Sequence, residues 1–272
     1  IAANTAAIVG GGNKPPNFTV PNAENWNGSN WTEISDMNTA RKELGAAGTN
    51  TSALFYGGTT ATELWNGSSW VNQNSLNVGS SAGGAGGGTS SSAIYAGANP
   101  GPQVASEEWE LGYQVGAWST GGSLNTAKMQ MGQTGLQTAA LAFGGETATS
   151  VTVAETEAYN GTSWTEVNDL NNAFYRMGAA GISGNTSVLS FGGRNSSNTV
   201  QNNTESWNGT NWTAVNTMGT ARDIMGDAGT GNTSALAFGG DNGGPQVAVT
   251  ELWNGTNWTE VNDLNDARSD LT

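Results

Sequence analysis

Tryptophan recurs through this chain at a nearly fixed interval, and that recurrence restricts the fold more than any other feature. Trp31, Trp70, Trp118, Trp164, Trp212 and Trp258 stand 39, 48, 46, 48 and 46 residues apart. The step from Trp258 through Thr272 and on from Ile1 to Trp31 is 45, so the sequence closes on itself after six units. A period of this length marks a repeat architecture in which each unit buries its apolar face against its neighbours. An open solenoid would need terminal capping repeats with polar outer faces. None is visible, and closure into a ring is expected.

Each unit has the same internal order. An apolar run ends in a small pair, as in Ala53 to Gly58, Val188 to Gly193 and Ala235 to Gly240. A loop of changing length follows, and then a glutamate two residues before an aromatic: Glu24/Trp26, Glu63/Trp65, Glu107/Trp109, Glu157/Tyr159, Glu205/Trp207 and Glu251/Trp253. Five units continue Asn-Gly-(Ser/Thr)-x-Trp, which reads as a two-residue type I′ hairpin turn joining a third strand to a fourth. The glycine-rich segment after it, such as Met177-Gly178-Ala179-Ala180-Gly181, suits an innermost strand crowded round an axis. The expected fold is therefore all-β, a six-bladed β-propeller of four-stranded antiparallel blades spanning 1–272 as a single domain. The segments Ser269 to Thr272 and Ile1 to Asn4 are expected to share one inner-strand position and seal the ring, leaving no free sheet edge at the seam.

A di-glycine ending one strand, an aromatic on the next and a Trp on the fourth resembles the Kelch repeat, and Gly192-Gly193, Trp207 and Trp212 are one instance. The third unit departs from it, with Ala96-Gly97 for Gly-Gly and Glu110 to Ala117 in place of the Asn-Gly turn. The Asn/Thr-rich wording Trp-Asn-Gly-Thr-Asn-Trp-Thr-Glu-Val-Asn-Asp-Leu-Asn is also similar to Kelch-type repeats in structural proteins of marine bacteriophages. That resemblance implies a virion or extracellular location, in a tail fibre, head fibre or capsid decoration. The partners it implies are other virion proteins or host cell-surface glycan, in an assembly that can be homo-oligomeric. A secreted bacterial lectin or adhesin binding carbohydrate is the alternative.

Composition narrows the chemistry. The 22 acids and 8 bases give a net charge of −14, which repels phosphate, so no nucleic-acid partner is expected. There is no histidine and no cysteine, which removes zinc sites of the usual kind, thiolate nucleophiles and Ser-His-Asp triads. No run approaches the length of a membrane span, and Ile1-Ala2-Ala3-Asn4 does not read as an intact signal peptide. The copper enzymes among Kelch propellers need histidine and a cysteine-modified tyrosine, neither of which exists here. The Ser-x-Asp-x-Gly-x-x-Trp boxes of sialidase-like propellers are missing as well. A non-catalytic chain without cofactor or metal is expected.

Two charged columns remain as candidates for function. The glutamate column reads as six acids lining a channel or six ligand pockets, or as carboxylates that accept backbone N–H groups such as those of the neighbouring glycine pair. Its retention in all six units favours the second reading. A basic column opens the inner strand in the phrase Asn-x-Ala-Arg: Arg41, Lys128, Arg222 and Arg268, with the fourth unit's base two residues later at Arg176. These five are expected near the mouth of the central channel, either contacting a carboxylate, phosphate or sugar, or pairing with Asp36, Asp263 and their equivalents. The loops between second and third strands vary most and should emerge on the face where the inner strands begin. Specificity usually resides in such loops.

Overall fold

The computed structural model describes residues 5–79, 85–97, 103–112, 116–181 and 185–271. Six antiparallel sheets are arranged as the blades of a propeller, and a further two-stranded one pairs Asn13–Lys14 with Phe18–Thr19. Blade 2 is typical, with Leu44–Thr49, Ser52–Gly57, Thr62–Trp65 and Trp70–Gln73 paired in sequence order. Blades 3, 4, 5 and 6 repeat this order from Ala85–Thr89, Gly132–Leu136, Gly178–Ala180 and Gly226–Gly231 as their first strands. Residues of these first strands together line a central cavity of about 1170 Å³. Blade 1 shows three strands among the described residues: Ala7–Gly10, Ala23–Trp26 and Trp31–Ile34. The expected inner-strand role of Ile1 to Asn4 lies outside the described residues. The C-terminal segment does reach blade 1, where Asn13 and Ser269 exchange backbone bonds of 2.8 and 3.0 Å and Leu271 joins Ala7 and Val9 in one buried cluster.

The core is divided rather than central. Six clusters of buried side chains each lie between adjacent blades, including one across the seam that joins Ala7, Val9, Trp26 and Trp31 to Leu236 and Phe238. The two aromatic columns supply the bulk. Directly opposite residues on the third and outer strands stack with ring centroids 5.3–5.5 Å apart in the Trp26–Trp31, Trp65–Trp70, Trp109–Trp118, Trp207–Trp212 and Trp253–Trp258 pairs. The outer Trp then reaches into the preceding blade. Trp212 Nε1 donates to Thr156 Oγ1 at 3.1 Å, Trp258 to Thr204 at 3.0 Å and, across the seam, Trp31 to Thr250 at 3.2 Å. Filling the wedge between blades is thus the work of these rings.

The Asn-Gly hairpins differ from the two-residue turns the sequence suggested. Because Trp26 pairs with Trp31 and Trp253 with Trp258, four residues lie in each loop. Only the glycine takes positive φ, as at Gly255 (92°). The asparagine instead uses its side chain: Asn254 Oδ1 accepts the N–H groups of Thr256 and Asn257, both at 2.9 Å. This side-chain turn replaces the backbone conformation that a type I′ turn requires. The third unit keeps the Trp109–Trp118 pair and extends the hairpin beyond it through Leu111–Gly116.

Candidate functional site

The segment joining one blade to the next sets most of the charge geometry. It runs beside the loop between the second and third strands, and the two are bridged at Tyr175–Arg194, Asp223–Asp241 and Asn13–Ser269. Variable loops and inter-blade connectors therefore share one face, as the sequence suggested. The glycine pair explains how they pack. Gly240 N donates to Arg268 O at 2.8 Å, and a Cβ on Gly239 would lie 2.6 Å from that same oxygen. The connector's backbone thus occupies the space that a side chain would take.

The glutamate column fastens each blade to the connector beside it. Glu63 Oε2 accepts Asn38 N at 2.7 Å, Glu157 Oε2 accepts Asn125 N at 2.7 Å, and Glu251 Oε2 accepts Gly219 N at 2.6 Å. Glu107, Glu205 and Glu24 accept the equivalent N–H groups of Asn77, Asn171 and Asn265. The acceptor role holds, but the donors are on the connector rather than at the glycine pair.

Four members of the basic column belong to this fastening. Arg41 donates from Nη2 to Glu63 Oε1 at 2.9 Å and from Nη1 to the carbonyls of Gly57 and Ala61 at 2.9 and 2.8 Å. Arg222 binds Glu251 at 3.0 Å and Gly239 O at 3.0 Å, with Val249 O as a third acceptor. Arg268 binds Glu24, Gly11 O and Asn22 O in the same way. Lys128 Nζ stands 3.3 Å from Glu157 Oε1 and 3.4 Å from Glu155 O. All four bases are at most 2% exposed, and burial pulls the three arginines below the usual guanidinium range while their glutamates oppose it. Their side chains are enclosed between blades, so the expectation that they contact a ligand at the rim is corrected. The alternative pairing with Asp36 and Asp263 is corrected too: Asp263 Oδ1 accepts Thr250 N at 3.0 Å instead.

Arg176 is different. Phe174, not Arg176, occupies the column position in that unit, and Arg176 sits two residues on, at the cavity mouth. Its side chain is 36% exposed, with Nη1 3.8 Å from Asp223 Oδ2 and the guanidinium 5.6 Å from the centroid of the Tyr175 ring. Asp223 is enclosed and held by Arg194, whose Nε lies 2.6 Å from Oδ2. Burial raises the Asp223 carboxyl despite these two bases. Lys42 is equally exposed, 3.9 Å from both Glu43 and Asp270.

The mouth itself is framed by five residues that sequence reasoning did not single out as a set: Glu43, Gln130, Arg176, Ile224 and Asp270. All have left-handed backbones, with φ between 44° and 58°. Their main chains bond from blade to blade: Arg176 N to Gln130 O (2.8 Å), Ile224 N to Arg176 O (3.2 Å), Asp270 N to Ile224 O (2.9 Å) and Glu43 N to Asp270 O (3.2 Å). Non-glycine residues rarely hold this conformation unless the surroundings impose it, and here the series of bonds between neighbouring blades does so.

Deeper in the cavity, Asp227 stands at the strand position taken by Ala46 in blade 2 and Ala179 in blade 5. Its Oδ2 accepts Ala179 N at 3.1 Å, across the junction of blades 5 and 6. Enclosure by the inner strands pushes its carboxyl up to about 7, against the opposing pull of that hydrogen bond. The folded chain keeps a proton that the unfolded chain loses near pH 4, so stability falls as pH climbs from about 4 to about 7. Asp227→Asn should remove this slope and stabilise the protein by up to about 4 kcal/mol at pH 8, with little effect at pH 4. Urea unfolding at both pH values checks this; an equal effect at each would show that the carboxyl ionises normally.

No group of three or more acidic residues placed to hold a metal occurs among the described residues. No protein-family model matches the sequence, and no curated protein matches it.

Proposed function

We propose that this chain is a non-catalytic binding and structural module that meets its partner through the variable-loop face. The observation that carries this reading is a division of labour. The residues repeated from unit to unit are spent on internal bonds, whereas the outward-facing residues of one face differ in every blade. Of the five large hydrophobic residues that are exposed among those described, Phe18, Val104 and Val151 lie on the variable loops and Val78 on a connector. Arg176 and Lys42 add exposed cations at the cavity mouth between them. Isolated exposed apolar side chains beside cations on a rigid scaffold suit contact with sugar faces and acidic groups.

The resemblance to Kelch-type repeats of marine bacteriophage structural proteins supports placing the module in a virion, as a tail fibre, head fibre or capsid decoration. The partner is host surface glycan or another virion protein, and weak individual contacts are multiplied by copy number. An array of surface glycans probed with the purified chain tests the carbohydrate arm. Saturable binding should fall about tenfold in Arg176→Gln or Phe18→Ser, roughly 1.4 kcal/mol, and Phe18→Ser should leave the unfolding temperature unchanged. Binding indifferent to both substitutions would remove the variable-loop face from the account. Cleavage of a polysaccharide would overturn the non-catalytic reading.

A further inference from the structure

Blade 5 departs from the fastening just described in one respect. Its connector carries Phe174 where Arg41, Lys128, Arg222 and Arg268 stand in four other units, and the ring packs among Leu141, Phe143, Leu170 and Met177. The surrounding oxygens nevertheless keep their places. Asn171 N and Nδ2 hold Glu205 Oε2 at 2.9 and 2.7 Å, as Asn125 holds Glu157. Gly192 N donates to Asn203 O at 2.9 Å, as Gly239 N does to Val249 O at 3.0 Å. The φ of Gly192, 66°, falls among the 71°, 85° and 63° of Gly11, Gly57 and Gly239. Gly192 O, Asn203 O and Glu205 Oε1 are therefore the counterparts of the three oxygens that grip a guanidinium in blades 1, 2 and 6, where the two carbonyls accept from Nη1 and the carboxylate from Nη2. Glu205 is 2% exposed, and its Oε1 is buried and meets no hydrogen-bond donor.

We propose that these three oxygens of blade 5 bind a monovalent metal cation of the sodium or potassium class. A carboxylate enclosed between blades needs a compensating charge, and neither Phe174 nor any donor reaches Oε1. One carboxylate and two carbonyls are hard oxygen ligands, suited to alkali and alkaline-earth ions rather than to soft metals. The single negative charge selects a single positive one. Blade 4 shows that the arrangement accepts a compact cation as readily as a guanidinium, because the Lys128 ammonium sits there against Glu157 Oε1 and Glu155 O. The inference is independent of what the variable-loop face binds.

A strongly acidic chain is stabilised by any salt, so the test compares cations at equal ionic strength. Thermal unfolding should be measured in sodium chloride, potassium chloride and tetramethylammonium chloride, the last ion being too large for the cluster. The native chain should unfold about 2–4 °C higher in at least one alkali salt than in tetramethylammonium. Glu205→Gln should abolish that difference. Phe174→Arg, which brings the cation on its own side chain, should abolish it as well, and either variant suffices if the other does not fold. Identical unfolding in all three salts would overturn the proposal. So would an alkali-specific gain that survives these substitutions, since the ion would then be bound elsewhere.

Discussion

Glu251→Ala should destabilise the protein by about 3–5 kcal/mol, the usual cost of leaving one partner of a buried ion pair alone. Arg222 would remain enclosed with only carbonyl oxygens around it, and the N–H groups of Gly219 and Thr220, now 2.6 and 3.2 Å from the carboxylate, would lose their acceptor. Arg222→Met should cost a similar amount by stranding Glu251. The double variant should be less destabilised than the sum, because the uncompensated charge is gone from both sides. Glu205→Ala provides the internal comparison. It has no base to strand, so its loss should be about 1–3 kcal/mol, that of unsatisfied buried hydrogen-bonding groups. Urea denaturation of the four variants measures the series. A loss below about 1 kcal/mol for Glu251→Ala would mean that the pair behaves like a solvated surface bridge.

The second large effect is expected at the aromatic columns. Trp212→Ala should cost about 3–5 kcal/mol, since it opens a cavity at the junction of blades 4 and 5. The ring lies 4.8 Å from Phe143 and 5.4 Å from Trp207, and its N–H bonds Thr156 in the neighbouring blade. Trp31 makes the equivalent contacts with Phe238, Trp26 and Thr250 where blade 6 meets blade 1. If the ring is closed, Trp31→Ala should cost as much as Trp212→Ala. A loss at Trp31 well below that at Trp212 would show a seam weaker than the other junctions.

Much of this architecture was legible in the repeat. The tryptophan interval gave the blade count, and the di-glycine and aromatic positions gave the strand order, because those residues answer to packing geometry that every blade shares. The hairpins were misread for a local reason. Asn-Gly is a strong signal for a tight turn, but the five-residue step from Trp26 to Trp31 already leaves four residues between directly opposed partners. The Asn side chain stabilises that longer loop. The basic column is legible as a repeated position, but its depth in the structure is not. Spacing alone does not distinguish a base that opens onto a channel from one folded back on the next blade's glutamate. The matched pattern of Glu63 with Arg41, and of Glu251 with Arg222, was the available hint.

The left-handed residues at the mouth were illegible for a different cause. Glu43, Gln130, Arg176, Ile224 and Asp270 include no glycine or asparagine, since the conformation is imposed by bonds between blades rather than preferred locally. Asp227 left a visible trace, a carboxylate inside the otherwise small run Gly226-Asp227-Ala228-Gly229, but only the cavity gives it meaning.

The repeated charged residues bond one blade to the next, and we propose that the variable-loop face does the binding. A reconstruction of the intact assembly that carries this chain tests it most directly. The account predicts a partner or bound glycan seated on the face that presents Phe18, Val104, Val151 and Arg176, with Arg41, Lys128, Arg222 and Arg268 enclosed beneath that face in the blade junctions and out of contact with it. A partner seated on the Asn-Gly hairpins, with the variable-loop face open to solvent, would contradict it.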